Sequence, residues 1–377
     1  MKLRRLWAVA RKEFLHVLRD PRSLGMGIAI PLMMLVLFGY ALTLDVDRVP
    51  LVVWDQSCTD ASRELVSRFA GSRYFALRRY VDNYRALEDN IDRGRAMVGL
   101  VIPLRFARDL LQGRPAPLEL VVDGSDANTA TIAIGYAEAV TFSYAKDIAV
   151  RQFPRTRGQR FPLPLDPRSR VWFNPDLQSK NYIVPGLIAV IMMVIAALLT
   201  SLTVAREWER GTMEQLISTP VKGPELILGK LVPYFTIGMV DVLLAVLMGE
   251  FLFHVPLRGS VALLFGMTAV FLLGVLSLGM LISILAKNQL LASQLALILT
   301  FLPSYLLSGF MFAIPSMPRP VQWVTHLVPA KYFVSLLKGI YLKGVGLDVL
   351  YPQALLLATF SALVLLLALT RFKKKLV

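Results

Sequence analysis

Cysteine is nearly missing from this 377-residue chain. Cys58 stands alone, so no intrachain disulfide can form, and any exported part must hold itself by burial of apolar surface. Histidine is almost as scarce. His16, His254 and His326 lie far apart, which predicts no metal site. No nucleophile, base and acid stand at the spacing of a catalytic trio, and no catalytic residue is assigned. A phosphate loop needs G-x-x-x-x-G-K-[ST] at a strand-to-helix turn. The nearest approach, GPELILGKL from Gly223 to Leu231, has five intervening residues, lacks a hydroxyl after Lys230 and opens an apolar run. It reads as a helix start, so the chain carries no nucleotide site and is not expected to be an enzyme. Internal repeats and low-complexity tracts are also absent.

Apolar residues abound. They make up 55% of the chain, whose mean hydropathy is +0.57, against about 45–50% in soluble domains. A bilayer core needs roughly 20 apolar residues in a row. Six runs reach or approach that length: Leu24–Leu42, Ile183–Ala205, Leu231–Phe253, Val261–Ala286, Leu290–Ile314 and Ala354–Thr370, the last extending toward Val349. The expectation is an α-helical integral membrane protein with six transmembrane helices. The first run follows a basic stretch, as a signal peptide would. It is longer than the roughly 7–15 residues of a cleaved signal, and an uncleaved anchor is expected.

A formal net charge of +15 would suggest nucleic acid in a soluble protein. Here its distribution matters more. Residues 1–23, 206–230, Lys287 and the tail RFKKKLV together hold sixteen Lys and Arg. The short loops on the other side hold Arg258, Arg319, Lys331, Lys338 and Lys343. Basic loops stay in the cytoplasm, so both termini are expected there, with membrane lipid rather than nucleic acid as the neighbour.

Four regions follow. Residues 1–22 place Leu3, Trp7, Ala10, Phe14 and Val17 at helical spacing opposite Arg and Lys, an amphipathic helix suited to the headgroup layer. Residues 23–43 form the first span. Residues 44–180 alternate strands (50–55, 74–81, 96–103, 117–124) with helices (60–70, 83–94, 104–113), then a longer helix near 127–151 and a basic Pro-rich loop. That alternation predicts an extracytoplasmic α/β domain between spans 1 and 2. Residues 181–377 hold spans 2 to 6. In the long connection at about 315–350, Phe333, Leu336, Leu337, Ile340 and Tyr341 share one face, which suits a helix dipping into the outer leaflet.

The stretch REWERGTMEQLISTPVKGPE, residues 206–225, falls between spans 2 and 3 on the cytoplasmic side. Gly211 should break the descending helix. Thr212, with Gln215 three residues on, fits a capping box for a short new helix, which Pro220 ends. Gly223-Pro224 then restarts a helix. Met213, Leu216 and Ile217 take one side and Glu214 the other, with the charges expected to face away from lipid. A loop serving only charge topology needs Lys and Arg. Four Glu as well suggest a docking surface, where complementary charge sets register.

AREWERGTMEQLISTPV resembles the signature of ABC-2-type permeases, the membrane subunits of ATP-binding-cassette exporters. LLSGFMFAIPSMP (306–318) and VPAKYF (328–333) resemble two further stretches of that family, with Val328 and Lys331 where relatives carry Asn and Arg. The large domain between spans 1 and 2 resembles the bacterial drug-exporter-like branch. The resemblance implies an interfacial helix, six spans, a coupling helix at about 212–219 and re-entrant helices before span 6, in the inner membrane. It implies separate cytoplasmic ATPase chains that bind ATP and Mg²⁺, and a second permease chain, identical or paralogous. A periplasmic adaptor is a further partner the large domain suits. Carried over by position, Arg206, Glu207, Glu209, Arg210, Gly211, Thr212, Glu214 and Leu216 form the coupling region.

Asp241 falls near the middle of span 3. A charge there costs at least about 2.5–3.5 kcal/mol, so it should face protein or water. It is either a cation- or proton-accepting site on the export path or a structural hydrogen bond to a neighbouring helix. Ser293, Gln294, Thr300 and Ser304 give span 5 a polar stripe that suits either a dimer seam or a substrate path. Met311, Phe312, Trp323 and Phe333 suit either an outer gate or interfacial anchors. The function read from all this is the permease half of an ATP-driven exporter of an amphipathic or drug-like substrate. The rival is a transmitter of force or signal through the outer domain without transport.

Overall fold

The computed structural model describes residues 2–20, 24–42, 48–152 and 178–372. They fall into two compact units. One joins Met1–Thr43 to Ser169–Val377, and the other is Leu44–Arg168.

The helical unit opens with α1, Leu3–Arg19. Its apolar residues divide between two surfaces. Ala10 and Val17 are buried together with Glu13, whereas Leu3, Trp7 and Phe14 are exposed. A π-helical turn, Gly25–Ala29, then leads into α2, Ile30–Ala41. The apolar stretch Gly27–Ala41 is shorter than the five long helices of the unit.

In the second unit β1 (Val49–Asp55), α3 (Asp60–Gly71), β2 (Phe75–Tyr80), α4 (Tyr84–Asp92), β3 (Val98–Ile102), α5 (Phe106–Leu111) and β4 (Glu119–Val122) alternate before α6 (Ala127–Gln152). The sheet order is β2-β1-β3-β4, with β1 parallel to both neighbours and β4 antiparallel to β3. Both faces are covered. Leu51, Val53, Leu100 and Ile102 pack with Leu65, Phe69 and Ala137 from α3 and α6, while Val52 and Val101 pack with Leu87 of α4. Burial on two faces explains why β1 and β3 read as near-continuous apolar runs. Most of the Pro-rich loop lies outside the described residues.

The helical unit resumes with α7 (Ser179–Glu209), α8 (Thr212–Ser218), α9 (Gly223–Phe251), α10 (Val261–Ala286), α11 (Gln289–Leu307), α12 (Arg319–Thr325), α13 (Pro329–Lys338) and α14 (Leu347–Arg371). Five of these, α7, α9, α10, α11 and α14, are long and apolar enough to cross a membrane. The shortest, at 19 residues, rises about 28 Å, close to the thickness of a hydrocarbon core. The centre belongs to α7, which touches α2, α9, α10, α11 and α13 and is buried over most of its length. Small residues let its neighbours close in. Gly279 of α10 lies against Thr200 and the Ala197 carbonyl, and the Phe310 ring fills the space beside Gly186.

One helix boundary corrects the sequence reading. The helix expected over Leu290–Ile314 stops at Leu307, because Gly309 turns the backbone left-handed at φ 77° and the chain bends into a short 3₁₀ turn, Ile314–Ser316. Lys338 Nζ donates to the freed Gly309 carbonyl at 2.9 Å. The apolar run from Leu231 continues the helix that begins at Gly223, so Glu225 and Lys230 lie on that helix. In the connection before α14, α13 and the π-helical turn Gly339–Lys343 bury Phe333, Leu336, Leu337, Ile340 and Tyr341 together.

Candidate coupling site

Between α7 and α9 the chain makes two tight changes of direction. The first is at Gly211, whose φ of 68° lies in the left-handed region. A side chain there costs about 1–2 kcal/mol. The expected capping box does not form: Gly211 is the N-cap, and no side chain caps α8. The Thr212 hydroxyl instead donates to the Glu207 carboxylate, a charged acceptor that makes the stronger bond. On α8, Met213 is buried, and with Leu216 it lines a small recess completed by Val221, Leu226 and Phe372. At the second change Gly223 and Pro224 begin α9. Glu225 Oε2 accepts from the Lys222 N–H at 3.0 Å, and its Oε1 accepts from the Lys2 N–H at 2.7 Å. The Arg5 guanidinium donates to the Pro220 carbonyl. So α1 is bonded directly to the loop.

The charges expected to face outward divide into two sets. Arg206, Glu207 and Glu209 turn back onto their own bundle. Glu209 accepts from the Gln289 N–H at 2.8 Å and from its side-chain amide, tying the end of α7 to the start of α11. Arg206 Nε donates to Gln289 Oε1 at 3.4 Å. Glu207 Oε1 lies 3.1 Å from Lys230 Nζ and 3.2 Å from Lys12 Nζ. Lys230 also meets Glu13 at 2.8 Å, and Lys12 meets Glu13 at 3.1 Å. Burial works against ionisation of Glu207. The Lys230 charge, the Thr212 hydroxyl and the Lys12 charge together outweigh it and hold the carboxyl down to about 2. Glu13 also sits below its ordinary value: burial opposes the shift, and Lys230 and Lys12 overcome it. For Glu207 the inward turn has a physical cause, because the Lys230 side chain is only 2% exposed and needs carboxylates around it. Arg210, Gly211, Glu214 and Gln215 remain exposed and form the free surface of the loop.

Lys12, Glu13, Lys230 and Gln289 were missed as members of this site. Two of them carry a signal in the sequence. Glu13 interrupts the Ala10–Val17 face of α1, and Lys230 interrupts an apolar run.

The residues considered for a path through the bundle do not form one group. Asp241 is 2% exposed, and its Oδ1 has no hydrogen-bond partner. Gly238, one turn away, lies against Leu272 of α10, and Thr268, one turn from Leu272, likewise has an unpartnered buried Oγ1. On α11, Thr300 and Ser304 are fully buried, with Ser304 Oγ 3.0 Å from Met193 Sδ of α7. Ser293 is half-buried and bonds the Leu290 carbonyl, and Gln294 is exposed. The four therefore do not share one surface. Phe333 is buried in a stack on Phe271 at 4.0 Å, whereas Met311, Phe312 and Trp323 are exposed. Among the described residues no cluster of His, Cys, Asp or Glu could hold a metal ion.

Comparison with known proteins assigns the scaffold. The chain is 39% identical to the Escherichia coli protein named probable multidrug ABC transporter permease YbhS, over 99% of this chain and 97% of that protein. It is 32% identical to probable multidrug ABC transporter permease YbhR of the same organism, over 94% of this chain and 95% of the relative. The E. coli inner membrane transport permease YhhJ is 28% identical over 86% of this chain and 85% of its own length. A family model described as ABC-2 family transporter protein matches residues 22–370. With coverage from the first apolar helix to the last, the chain belongs to the ABC-2 family of transporter permeases.

Proposed function

We propose that the chain is the permease subunit of an ATP-driven exporter and that α8 receives the stroke of a separate cytoplasmic ATPase. The observation that carries this reading is the loop itself. A short helix exposes Glu214 and Gln215, with Arg210 exposed just before it, and buries Met213, and it joins α7 and α9 through turns fixed by Gly211 and by Glu225. A push on such a helix passes into α7, the centre of the bundle. The multidrug naming of the relatives supports an amphipathic substrate entering from the cytoplasm or the inner leaflet. In this reading α2 with its π-helical turn is a sixth span, both termini are cytoplasmic, α12 and α13 dip into the outer leaflet, and the α/β unit lies outside the inner membrane. The membrane assembly pairs two permease chains, and the α/β unit offers a surface for a periplasmic adaptor.

The test is reconstitution with the ATPase in vesicles, with ATP-dependent movement of a fluorescent lipophilic cation as readout. Hydrolysis stimulated by the permease with no movement of any amphipathic probe would favour the transmission reading instead. Asp241 is the residue proposed for the path, because a buried carboxylate with an unpartnered oxygen is available to a passing cation. Asp241→Asn is expected to abolish cation export while the permease–ATPase complex still forms. Undiminished export would remove Asp241 from the path.

A further inference from the structure

From Lys2 to Glu13, α1 is fastened to the segment that carries α8. At one end the Lys2 N–H is bonded to Glu225 and Arg5 to the Pro220 carbonyl. In the middle Gly229 of α9 packs so closely that an added Cβ would lie 2.8 Å from the Val9 side chain and 3.1 Å from the Leu6 carbonyl oxygen. Further on, Lys230 of α9 reaches Glu13 of α1 at 2.8 Å and Glu207 of α7 at 3.1 Å. One ammonium thus joins three helices, and Thr212, the first residue of α8, closes onto the same Glu207.

Stability is a poor reason for this arrangement. Taking an ammonium and two carboxylates out of water is expensive, and apolar side chains of similar volume often serve a fold as well or better. What a buried, fully paired charge group adds is a fixed geometry, since sliding any one helix strands a charge.

We infer that Lys230 and Glu13 are positioning residues for coupling: they fuse α1 to the α8-bearing ends of α7 and α9, so that a displaced α8 carries α1 with it as one body. This rests on the docking role proposed for α8. The basic amphipathic helix then becomes a moving part of the transmission. Its exposed Leu3, Trp7 and Phe14 shift with each stroke of the ATPase.

The test uses the permease–ATPase complex with Cys58→Ser as background and spin labels at Leu15→Cys on α1 and Ser218→Cys on α8. The distance between the labels is compared in the nucleotide-free complex and in the complex trapped with ADP and vanadate. One unchanged distance is expected. With Lys230→Met the distance should shift on trapping, and it should shift as well with Glu13→Gln, which releases α1 while leaving Lys230 paired with Glu207. A shift in the parent, or a fixed distance in either variant that assembles, would overturn the inference. Should Lys230→Met fail to assemble, Glu13→Gln decides alone. A photo-crosslinker at Glu214 is read in parallel. No capture of the ATPase removes the docking role of α8, whereas capture together with a moving distance removes only the joint.

Discussion

Single residues set the geometry of the loop. At φ 68°, Gly211 occupies backbone space that an L side chain enters at a cost of about 1–2 kcal/mol. Asn tolerates that region better than Ala, and β-branched Val worst. Gly211→Asn, →Ala and →Val are therefore expected to lower the yield of copurified ATPase in that order. Glu207 sets a pH limit. Its carboxyl is held down to about 2 in the folded protein, whereas a free Glu titrates near 4.3. A depressed carboxylate stabilises fully above the unfolded value and loses that contribution as pH falls through the folded one. Glu13 acts in the same direction. The parent should therefore lose melting temperature between pH 5 and pH 2 (roughly the interval between the two states), and Glu207→Gln should lose less over that interval. Equal losses would mean that the cluster contributes nothing.

Elements show what a sequence can and cannot disclose. Gly229 lets α1 lie directly on α9. Gly229→Leu should drive them apart at a cost of about 1–3 kcal/mol, seen as faster amide exchange throughout α1 with none in α10. The α/β unit was legible from its strand–helix alternation, and the loop from Gly211, Pro220 and Pro224, because backbone-forcing residues declare themselves locally. The end of α11 was not: Ser308-Gly309 sits inside an apolar run, and hydropathy alone cannot tell a continuing helix from a turn capped by Lys338. The partners of Glu207 were invisible for a different reason. Lys12 and Lys230 lie 195 and 23 residues away, and their meeting depends on how α1 lies on α9. On α1 itself the periodicity was plain, but it could not say that Ala10 and Val17 face protein while Trp7 does not.

The whole molecule is two units with different chemistry. The helical unit has a protein-sheathed centre, α7, and a rim rich in exposed leucines on α11 and α14, as expected where lipid rather than water is the surroundings. The α/β unit has a conventional two-faced core. It also carries the sole thiol, Cys58, exposed in the turn between β1 and α3. That scarcity turns the native chain into its own topology reporter. A maleimide too polar to cross lipid can react with one atom of the polypeptide, so intact spheroplasts should be tagged as fully as broken ones. Tagging that requires lysis would put the α/β unit in the cytosol and reverse the direction assigned to every helix.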